Sequence, residues 1–142
     1  MNQDSGVQIF SWDQQGYKPL VFFNDWQTAI LNWEPTFNFQ NLGEIEQHNM
    51  TDEVFVLVEG KALLFTINSE GEISANNMVP GVIYNVKQGV WHNLISTKSA
   101  KWIIVENRDT HITDTCIRRL SQSEKMEVEK IFSCWISASE LE

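Results

Sequence analysis

Residues 44–60, EIEQHNMTDEVFVLVEG, combine a run typical of a buried β-strand with three residues of types that bind metal ions. Glu46 and His48 are two positions apart, and side chains two apart on a strand point to the same face. Glu53 follows after a polar break at residues 49–52, which favours a turn. We expect this turn to form a β-hairpin that returns Glu53 to the face carrying His48. The three side chains are therefore predicted to converge.

A fourth candidate ligand lies in GVWH, residues 89–92, where Gly89 permits a tight turn and His92 enters the next strand. Two imidazoles with one or two carboxylates, brought together from different strands, are a recognised ligand set for a divalent metal. With open coordination positions, it is the kind of set that non-haem iron oxygenases use. The sequence therefore predicts a metal site made of Glu46, His48, Glu53 and His92. For Glu46, a place on the protein surface remains the alternative, because acidic side chains are mostly exposed.

Short apolar and β-branched runs recur along the chain and are separated by turn compositions. This spacing predicts an all-β sandwich or barrel. Several runs are apolar at consecutive positions, so both faces of those strands are expected to be covered, one by the core and the other by a second layer or subunit. A homodimer is the natural inference. The runs span residues 27–33, 54–58, 62–67, 82–86, 90–95 and 101–106.

The C-terminal segment has helical periodicity instead. SQSE, residues 121–124, has the pattern of a capping box. Apolar residues then fall at i, i+3, i+4 and i+7, which is typical of an amphipathic helix. We predict one such helix at about 122–136, after a barrel core at about 20–108. Because no repeat or linker divides the chain, residues 1–142 are predicted to form a single domain.

The overall composition limits the partners of the protein. The 142 residues include 10 basic and 19 acidic side chains, and the net charge of −9 disfavours nucleic acid and anionic lipid. No apolar run approaches the roughly 20 residues of a membrane span, and the first eight residues do not resemble a secretory leader. We therefore expect a cytoplasmic protein with no nucleic-acid or membrane partner. Cys116 and Cys134 form no CxxC pair and are expected as two buried or idle thiols rather than a disulfide.

Residues 43–60 resemble the first sequence motif of the cupin family, which runs glycine, His-x-His, three or four residues, glutamate, six residues and glycine. Glu46 stands in the place of the first histidine, and His48 is the second. Glu53 follows after four residues, and Gly60 comes after six more. The phrases TDEVFVLVEGKA, YNVKQGVWHN and IIVENRD look like those of a small bacterial cupin subgroup of no settled activity.

Residues 81–96 resemble the second cupin motif. Gly81, Gly89 and His92 occupy motif positions, whereas Lys87 and Ser96 replace the usual proline and asparagine. The resemblance implies a cupin-type double-stranded β-helix, which is a jelly-roll β-barrel, with one C-terminal amphipathic helix added. It also implies four metal-ligand positions, which are the same four residues: Glu46, His48, Glu53 and His92.

The glutamate at position 46 alters the metal chemistry that the resemblance implies. An oxygen-rich ligand set favours manganese, iron(II) or another borderline divalent ion over a soft-ligand metal, so manganese, iron, nickel and zinc are all candidates. The same substitution is equally compatible with loss of the metal, because cupins with incomplete ligand sets often serve as metal-free isomerases, lyases or binding domains. The expected cofactor is therefore a divalent metal or none.

Three further residues are candidates for the wall of a substrate pocket. Tyr84 and Trp91 offer aromatic surfaces, and Arg108 offers a planar fork for a carboxylate or phosphate. The alternatives are core or interface packing for the two aromatic rings and a salt bridge for the arginine. His111 lies in a polar run at residues 108–114 and is expected in a solvated loop.

Two functions remain open from the sequence. In the first, a divalent metal in the barrel helps to bind, and in an enzyme to transform, a small molecule such as a sugar or organic acid. The ion then acts as a Lewis acid or as an oxygen-activating centre. In the second, the barrel is a metal-free domain that binds or senses a small molecule without turnover. The residues do not decide whether the protein is an enzyme.

Overall fold

A computed structural model describes residues 5–139, so both ends of the predicted 1–142 domain lie outside the described residues. Within that range the chain forms ten strands and two α-helices. In chain order they are β1 (Gly16–Phe23), β2 (Trp26–Asn32), β3 (Glu44–Gln47), β4 (Glu53–Glu59), β5 (Ala62–Ile67), β6 (Ile73–Asn77), β7 (Ile83–Val86), β8 (Trp91–Ser96), β9 (Lys101–Asn107), α1 (Thr110–Thr113), β10 (Cys116–Arg119) and α2 (Gln122–Ser139). Two short 3-10 turns, Pro35–Phe37 and Phe39–Asn41, connect β2 to β3.

The strands form two five-stranded antiparallel sheets. Sheet A has the order β1-β2-β9-β4-β7, and sheet B has the order β10-β3-β8-β5-β6. The pairing is nested: β2 pairs with β9, β3 with β8, β4 with β7 and β5 with β6. A chain folded back on itself in this way and wrapped into two facing sheets is a jelly roll. The predicted all-β jelly-roll fold with one C-terminal helix is confirmed.

Burial on both faces of β5 explains its unbroken apolar sequence. Ala62 and Leu64 point into the core between the two sheets, together with Leu57 and Trp102. The alternate residues of β5 point to the other side of sheet B, where α2 covers them; they are Leu63, Phe65 and Ile67. The second layer expected from the sequence is therefore, for sheet B, a helix of the same chain.

Helix α2 begins with the predicted capping box. The Ser121 hydroxyl accepts a hydrogen bond from the Glu124 backbone N–H at 3.1 Å, and the Glu124 carboxylate accepts one from the Ser121 N–H at 2.8 Å. Val128 and Trp135 are buried against sheet B. The Trp135 indole N–H donates to the side chain of Asn77 on β6 at 2.8 Å. The helix extends to Ser139, three residues beyond its predicted end.

One local prediction is wrong: β3 and β4 do not form a hairpin. β3 lies in sheet B and β4 in sheet A, so residues 48–52 carry the chain from one sheet to the other. His48 itself follows the last residue of β3. The six predicted apolar runs coincide with strands, but the sheets also contain β1, β6 and β10 and extend from Gly16 to Arg119. β6 and β10, ISANN and CIRR, carry too few apolar residues to stand out in the sequence.

Cys116 and Cys134 are free thiols, and both are exposed rather than buried. Between residues 5 and 139, no helix has the length and apolar character needed to cross a membrane.

Candidate metal centre

The four predicted ligands come from both sheets and meet inside the barrel. Glu46 on β3 and His92 on β8 are direct cross-strand neighbours in sheet B. His48 follows β3, and Glu53 is the first residue of β4 in the opposite sheet. The crossing between the sheets therefore brings Glu53 beside His48, which is the position that the predicted hairpin would also have given it. His48, Glu53 and His92 are buried, and Glu46 is partly exposed at the rim.

The ligand atoms have the spacing that a metal ion requires. One Nε2 or carboxylate oxygen from each of the four residues lies within 4.8 Å of all the others. The His48 Nε2 and the His92 Nε2 lie 3.0 Å and 2.9 Å from the same Glu53 oxygen, Oε1. Ligands about 2.1 Å from an ion are about 3.0 Å apart when they sit at right angles to each other, so these distances fit one coordination sphere. The His92 Nε2 lies 3.7 Å from a Glu46 oxygen.

Backbone carbonyl groups orient both imidazole rings. The Nδ1 of His48 lies 2.8 Å from the carbonyl oxygen of Asp114, and the Nδ1 of His92 lies 3.0 Å from that of Val90. A carbonyl oxygen can only accept, so each Nδ1 carries the hydrogen and donates it. This arrangement directs each Nε2 at the cluster, which is the orientation typical of metal-binding histidines. The residues present therefore fit a divalent ion.

The electrostatics of the cluster are dominated by Glu53. Burial lowers the pKa of His48, but hydrogen bonding to Glu53 and its negative charge outweigh burial and raise that pKa to about 9. The pKa of His92 is raised for the same reasons, again against burial. Burial raises the pKa of Glu53, yet hydrogen bonds from the two histidines outweigh burial and lower that pKa. For Glu46, removal from water is the main cause of a raised pKa.

The cluster opens into a cavity of about 560 Å³, a size suited to a small ligand. The three residues predicted for a pocket wall do not line it. The Tyr84 hydroxyl accepts a hydrogen bond from the Val79 backbone N–H at 2.9 Å. Trp91 packs under the guanidinium of Arg118, and the guanidinium of Arg108 lies over the ring of Phe22, 5.1 Å from its centroid.

A second polar group, not predicted from the sequence, lies at the wall of the same cavity. Its members are Tyr17 on β1, Gln27 on β2, Glu106 on β9 and His111 on α1. The Tyr17 hydroxyl donates to Oε2 of Glu106, and the Gln27 amide contacts the Tyr17 oxygen at 2.9 Å. Burial, followed by the charge of Glu53, raises the pKa of Glu106 to about 8. His111, expected in a solvated loop, is exposed but also contacts this group.

Strand alternation was the available signal for this group. Glu106 follows Trp102 and Ile104 at a spacing of two, so it shares their inward face. Gln27 precedes Ala29 and Leu31 in the same way and is the direct cross-strand partner of Glu106.

No protein-family model matches the sequence, and no curated protein matches it. Several solved structures are similar. A cupin-2 domain-containing protein from Shewanella frigidimarina is 24% identical, with a TM-score of 0.49, over 76% of this chain and 94% of that chain. Protein NMB1881 from Neisseria meningitidis is 16% identical, with a TM-score of 0.46, over 74% of this chain and 92% of that chain.

Oxalate decarboxylase from Bacillus subtilis is also similar, with 13% identity and a TM-score of 0.48 over 65% of this chain and 23% of that chain. This chain therefore spans less than a quarter of the oxalate decarboxylase. The fold of the present chain follows from its own strand order. The nested strand pairing is that of a jelly roll, and the four residues that match the cupin motifs meet inside it.

Proposed function

We propose that this protein binds a divalent metal ion through Glu46, His48, Glu53 and His92 and uses it to bind a small molecule in the barrel cavity. The observation that carries the proposal is the joint orientation of the two imidazoles. Both Nδ1 atoms are held by carbonyl groups, and both Nε2 atoms lie within 3.0 Å of one glutamate oxygen. An arrangement of this kind places two neutral nitrogen ligands and an anionic oxygen around a single point.

The ligand chemistry favours manganese or iron(II). Two imidazoles with two carboxylates form a mixed nitrogen and oxygen set without sulfur, which suits borderline divalent ions. An ion held there would supply Lewis acidity to a ligand oxygen. The chain's own part is to hold the small molecule in a cavity of about 560 Å³ that residues of both sheets line.

A metal-free binding domain is the second candidate, and one observation favours it. The contacts of His48 Nε2 and His92 Nε2 with Glu53, at 3.0 Å and 2.9 Å, are also good hydrogen-bond distances. Two protonated imidazoles around one carboxylate would form a complete buried ion-pair group without any metal. In that case the cavity binds its ligand through hydrogen bonds alone.

Elemental analysis of the protein, purified without a metal-affinity tag, separates the two candidates. The first predicts close to one metal ion per chain, and none in a folded His48→Ala, His92→Ala double variant. The chain has three histidines, so His111→Ala is the matched control and should retain the metal. Metal-free protein in all three preparations, each folded by circular dichroism, would support the second candidate and contradict the first.

We also propose that the protein is a homodimer formed through the outer face of sheet A. An apolar row of direct cross-strand partners crosses four strands of this face: Ile30, Ile103, Val56 and Ile83. Within residues 5–139, α2 covers sheet B, and no corresponding helix covers this face of sheet A. The net charge of −9 supports a small molecule as the other partner, rather than nucleic acid or a membrane, and a cytoplasmic location is proposed with it.

Light scattering after size exclusion tests the dimer. Ile83 is 70% exposed and lies at the edge of the row, so Ile83→Lys should shift the protein from dimer to monomer. Met126→Lys, at a similarly exposed apolar residue on α2, is the control and should leave the mass unchanged. A parent protein that is monomeric at high concentration would contradict the proposal.

A further inference from the structure

The directions of the hydrogen bonds in the second polar group are fixed by a backbone amide. The Asp109 N–H donates to Oε1 of the fully buried Gln27 at 3.0 Å. This contact identifies the oxygen of the Gln27 amide, so the other terminal atom of that side chain is the NH₂ nitrogen. That NH₂ donates to the Tyr17 oxygen at 2.9 Å and to Nδ1 of His111 at 3.1 Å. Since Nδ1 of His111 accepts, the ring hydrogen of neutral His111 lies on Nε2. The Tyr17 hydroxyl, in turn, donates to Glu106.

Three members of this group, Tyr17, Glu106 and His111, line the same cavity as the metal centre. The Tyr17 and His111 rings lie side by side, with centroids 5.3 Å apart. The Glu106 side chain is buried, and its Oε1 has no hydrogen-bond partner among the described residues. A buried polar atom without a partner is rare in folded proteins, so this oxygen is a candidate contact for a molecule bound in the cavity.

This wall therefore offers both kinds of hydrogen-bonding group to a ligand. The His111 Nε2–H is a donor, and the Tyr17 oxygen keeps a lone pair after accepting from Gln27. The Oε1 of Glu106 accepts a hydrogen bond when the carboxyl group is ionised and donates one when it is protonated, and a hydroxyl group can pair with it in either state. A hydroxyl group both donates and accepts, so it can satisfy such a wall, whereas a carboxylate can only accept.

The charges around the cavity also disfavour an anionic ligand. Five glutamates and one arginine line it: Glu34, Glu44, Glu46, Glu53, Glu106 and Arg119. A divalent ion and the guanidinium together offset three of the five carboxylate charges. The cavity thus keeps a net negative charge and repels an anionic ligand, most strongly near the buried groups, where the effective dielectric constant is low.

We propose that the cavity selects an uncharged, hydroxyl-rich small molecule of the size of a monosaccharide, and that Tyr17, Glu106 and His111 recognise its hydroxyl groups. This proposal rests on the function proposed above. Of the two ligand classes considered from the sequence, it favours a sugar over an organic acid. The metal centre holds one side of the ligand, and the second polar group holds the other. Small dicarboxylates are excluded.

Nuclear relaxation in the Mn²⁺-loaded full chain tests the selection with a matched pair of probes, D-glucose and D-glucuronate. The two share a pyranose ring and differ by a carboxylate. Mn²⁺ shortens the relaxation times of protons on a ligand bound close to it, so the titration reports both affinity and proximity. We expect D-glucose to bind at least about tenfold more tightly than D-glucuronate. Oxalate has no carbon-bound protons and is followed by its ¹³C relaxation instead; it should bind no better than D-glucuronate.

Tyr17→Phe tests the assigned wall, and Tyr84→Phe is its matched control, because the Tyr84 hydroxyl contacts Val79 outside the cavity. Tyr17→Phe should weaken D-glucose binding about fivefold or more and leave Mn²⁺ binding unchanged, since one ligand-facing hydrogen-bonding group is lost. Tyr84→Phe should alter neither. Equal effects of the two variants would show that Tyr17 has only a structural part and would overturn the assignment.

Two results would overturn the proposed ligand class. One is binding of D-glucuronate or oxalate as tight as that of D-glucose. The other is no saturable binding of D-glucose to the Mn²⁺-loaded protein up to about 50 mM. If the chain binds no Mn²⁺, the proposed metal-binding function is refuted before the ligand class is tested. The same pair is then compared on metal-free protein by chemical-shift changes, where a lack of preference for D-glucose would overturn the class separately.

Discussion

Binding of a divalent metal to the metal-free protein should release protons, and the geometry predicts how many. Each imidazole of the centre uses its Nδ1 hydrogen for a backbone carbonyl. Each Nε2 lies within 3.0 Å of the same oxygen of Glu53, a distance that requires a hydrogen between nitrogen and oxygen when no metal is present. Both rings are therefore doubly protonated in the metal-free state. A metal ion takes the Nε2 lone pairs, so those two hydrogens must leave.

The size of the effect follows from His48. Its pKa is raised from 6.5 to about 9, because hydrogen bonding to Glu53 and the charge of that residue outweigh burial. In the metal-free protein, this interaction stabilises the fold fully below about pH 6.5 and is lost as the pH rises through about 9. At pH 7 the ring is two pH units below its pKa, so displacing the proton costs about a hundredfold in apparent metal affinity, or about 2.7 kcal/mol.

Calorimetry with Mn²⁺ at pH 7, in buffers of different ionisation enthalpy, measures the protons released. We expect between one and two per ion, and an apparent affinity that rises with pH until about 9. His111→Ala should release the same number, because that histidine is not a ligand. A pH-independent affinity between pH 6 and 9, with no proton release, would refute the protonation state derived for the two rings.

Three further predictions concern the ligands and the frame that holds them. Glu53→Gln should weaken Mn²⁺ binding more than Glu46→Gln, as measured by calorimetry, because Glu53 contacts both histidines whereas Glu46 is 39% exposed and 3.7 Å from His92. Gly60→Ala should lower the free energy of unfolding by about 3 kcal/mol in chemical denaturation, because φ of Gly60 is +85° and a Cβ would lie 2.6 Å from the Ala100 backbone. Gly71 is the control: its φ is +82°, but a Cβ there would meet open space, so Gly71→Ala should lower the free energy of unfolding by only about 1 kcal/mol. Glu124→Gln should destabilise the protein by about 1 kcal/mol at pH 7 in thermal or urea unfolding. That difference should shrink as the pH falls from about 4.5 towards 2, because hydrogen bonds from Arg118 lower the pKa of Glu124 to about 2.

The fold and the four ligand positions could be predicted because they depend on spacing along the chain. Strand periodicity places Glu46 on the inward side of β3, and turn-forming residues mark where each strand ends. The predicted hairpin failed because residues 49–52 have the same composition whether the chain turns back within a sheet or crosses to the opposite one. Both connections return Glu53 to His48, so the error in topology did not affect the predicted site.

The second polar group could not be assembled from the sequence because its members are far apart in the chain. Tyr17 and Glu106 are 89 residues apart, and only the nested order of β1, β2 and β9 brings them together. Alternation alone would have assigned Glu106 to the inward face, but a glutamate at the end of an apolar strand is more often exposed. The Tyr17 hydroxyl donates a hydrogen bond that helps to offset the cost of burying Glu106. No sequence pattern near Glu106 indicates this partner.

The segment after β9 positions the metal centre. The Asp114 carbonyl accepts the Nδ1 hydrogen of His48. Its carboxylate accepts the backbone N–H groups of Asn49 and Met50, at 2.9 Å and 2.8 Å. One aspartate therefore holds both the ring and the backbone that follows it, so the crossing between the sheets keeps His48 directed at Glu53.

The same segment positions the second polar group. The Asp109 N–H fixes the Gln27 amide, and His111 on α1 contacts that amide directly. The Asp114 backbone N–H donates to the carbonyl of Thr110, at the first residue of α1, which closes the short helix. Asp109 and Asp114, which anchor the second polar group and the metal centre, are thus five residues apart, on either side of α1. Because α1 joins these two anchors, we expect a displacement of this helix to change the orientations of His48 and Gln27 together.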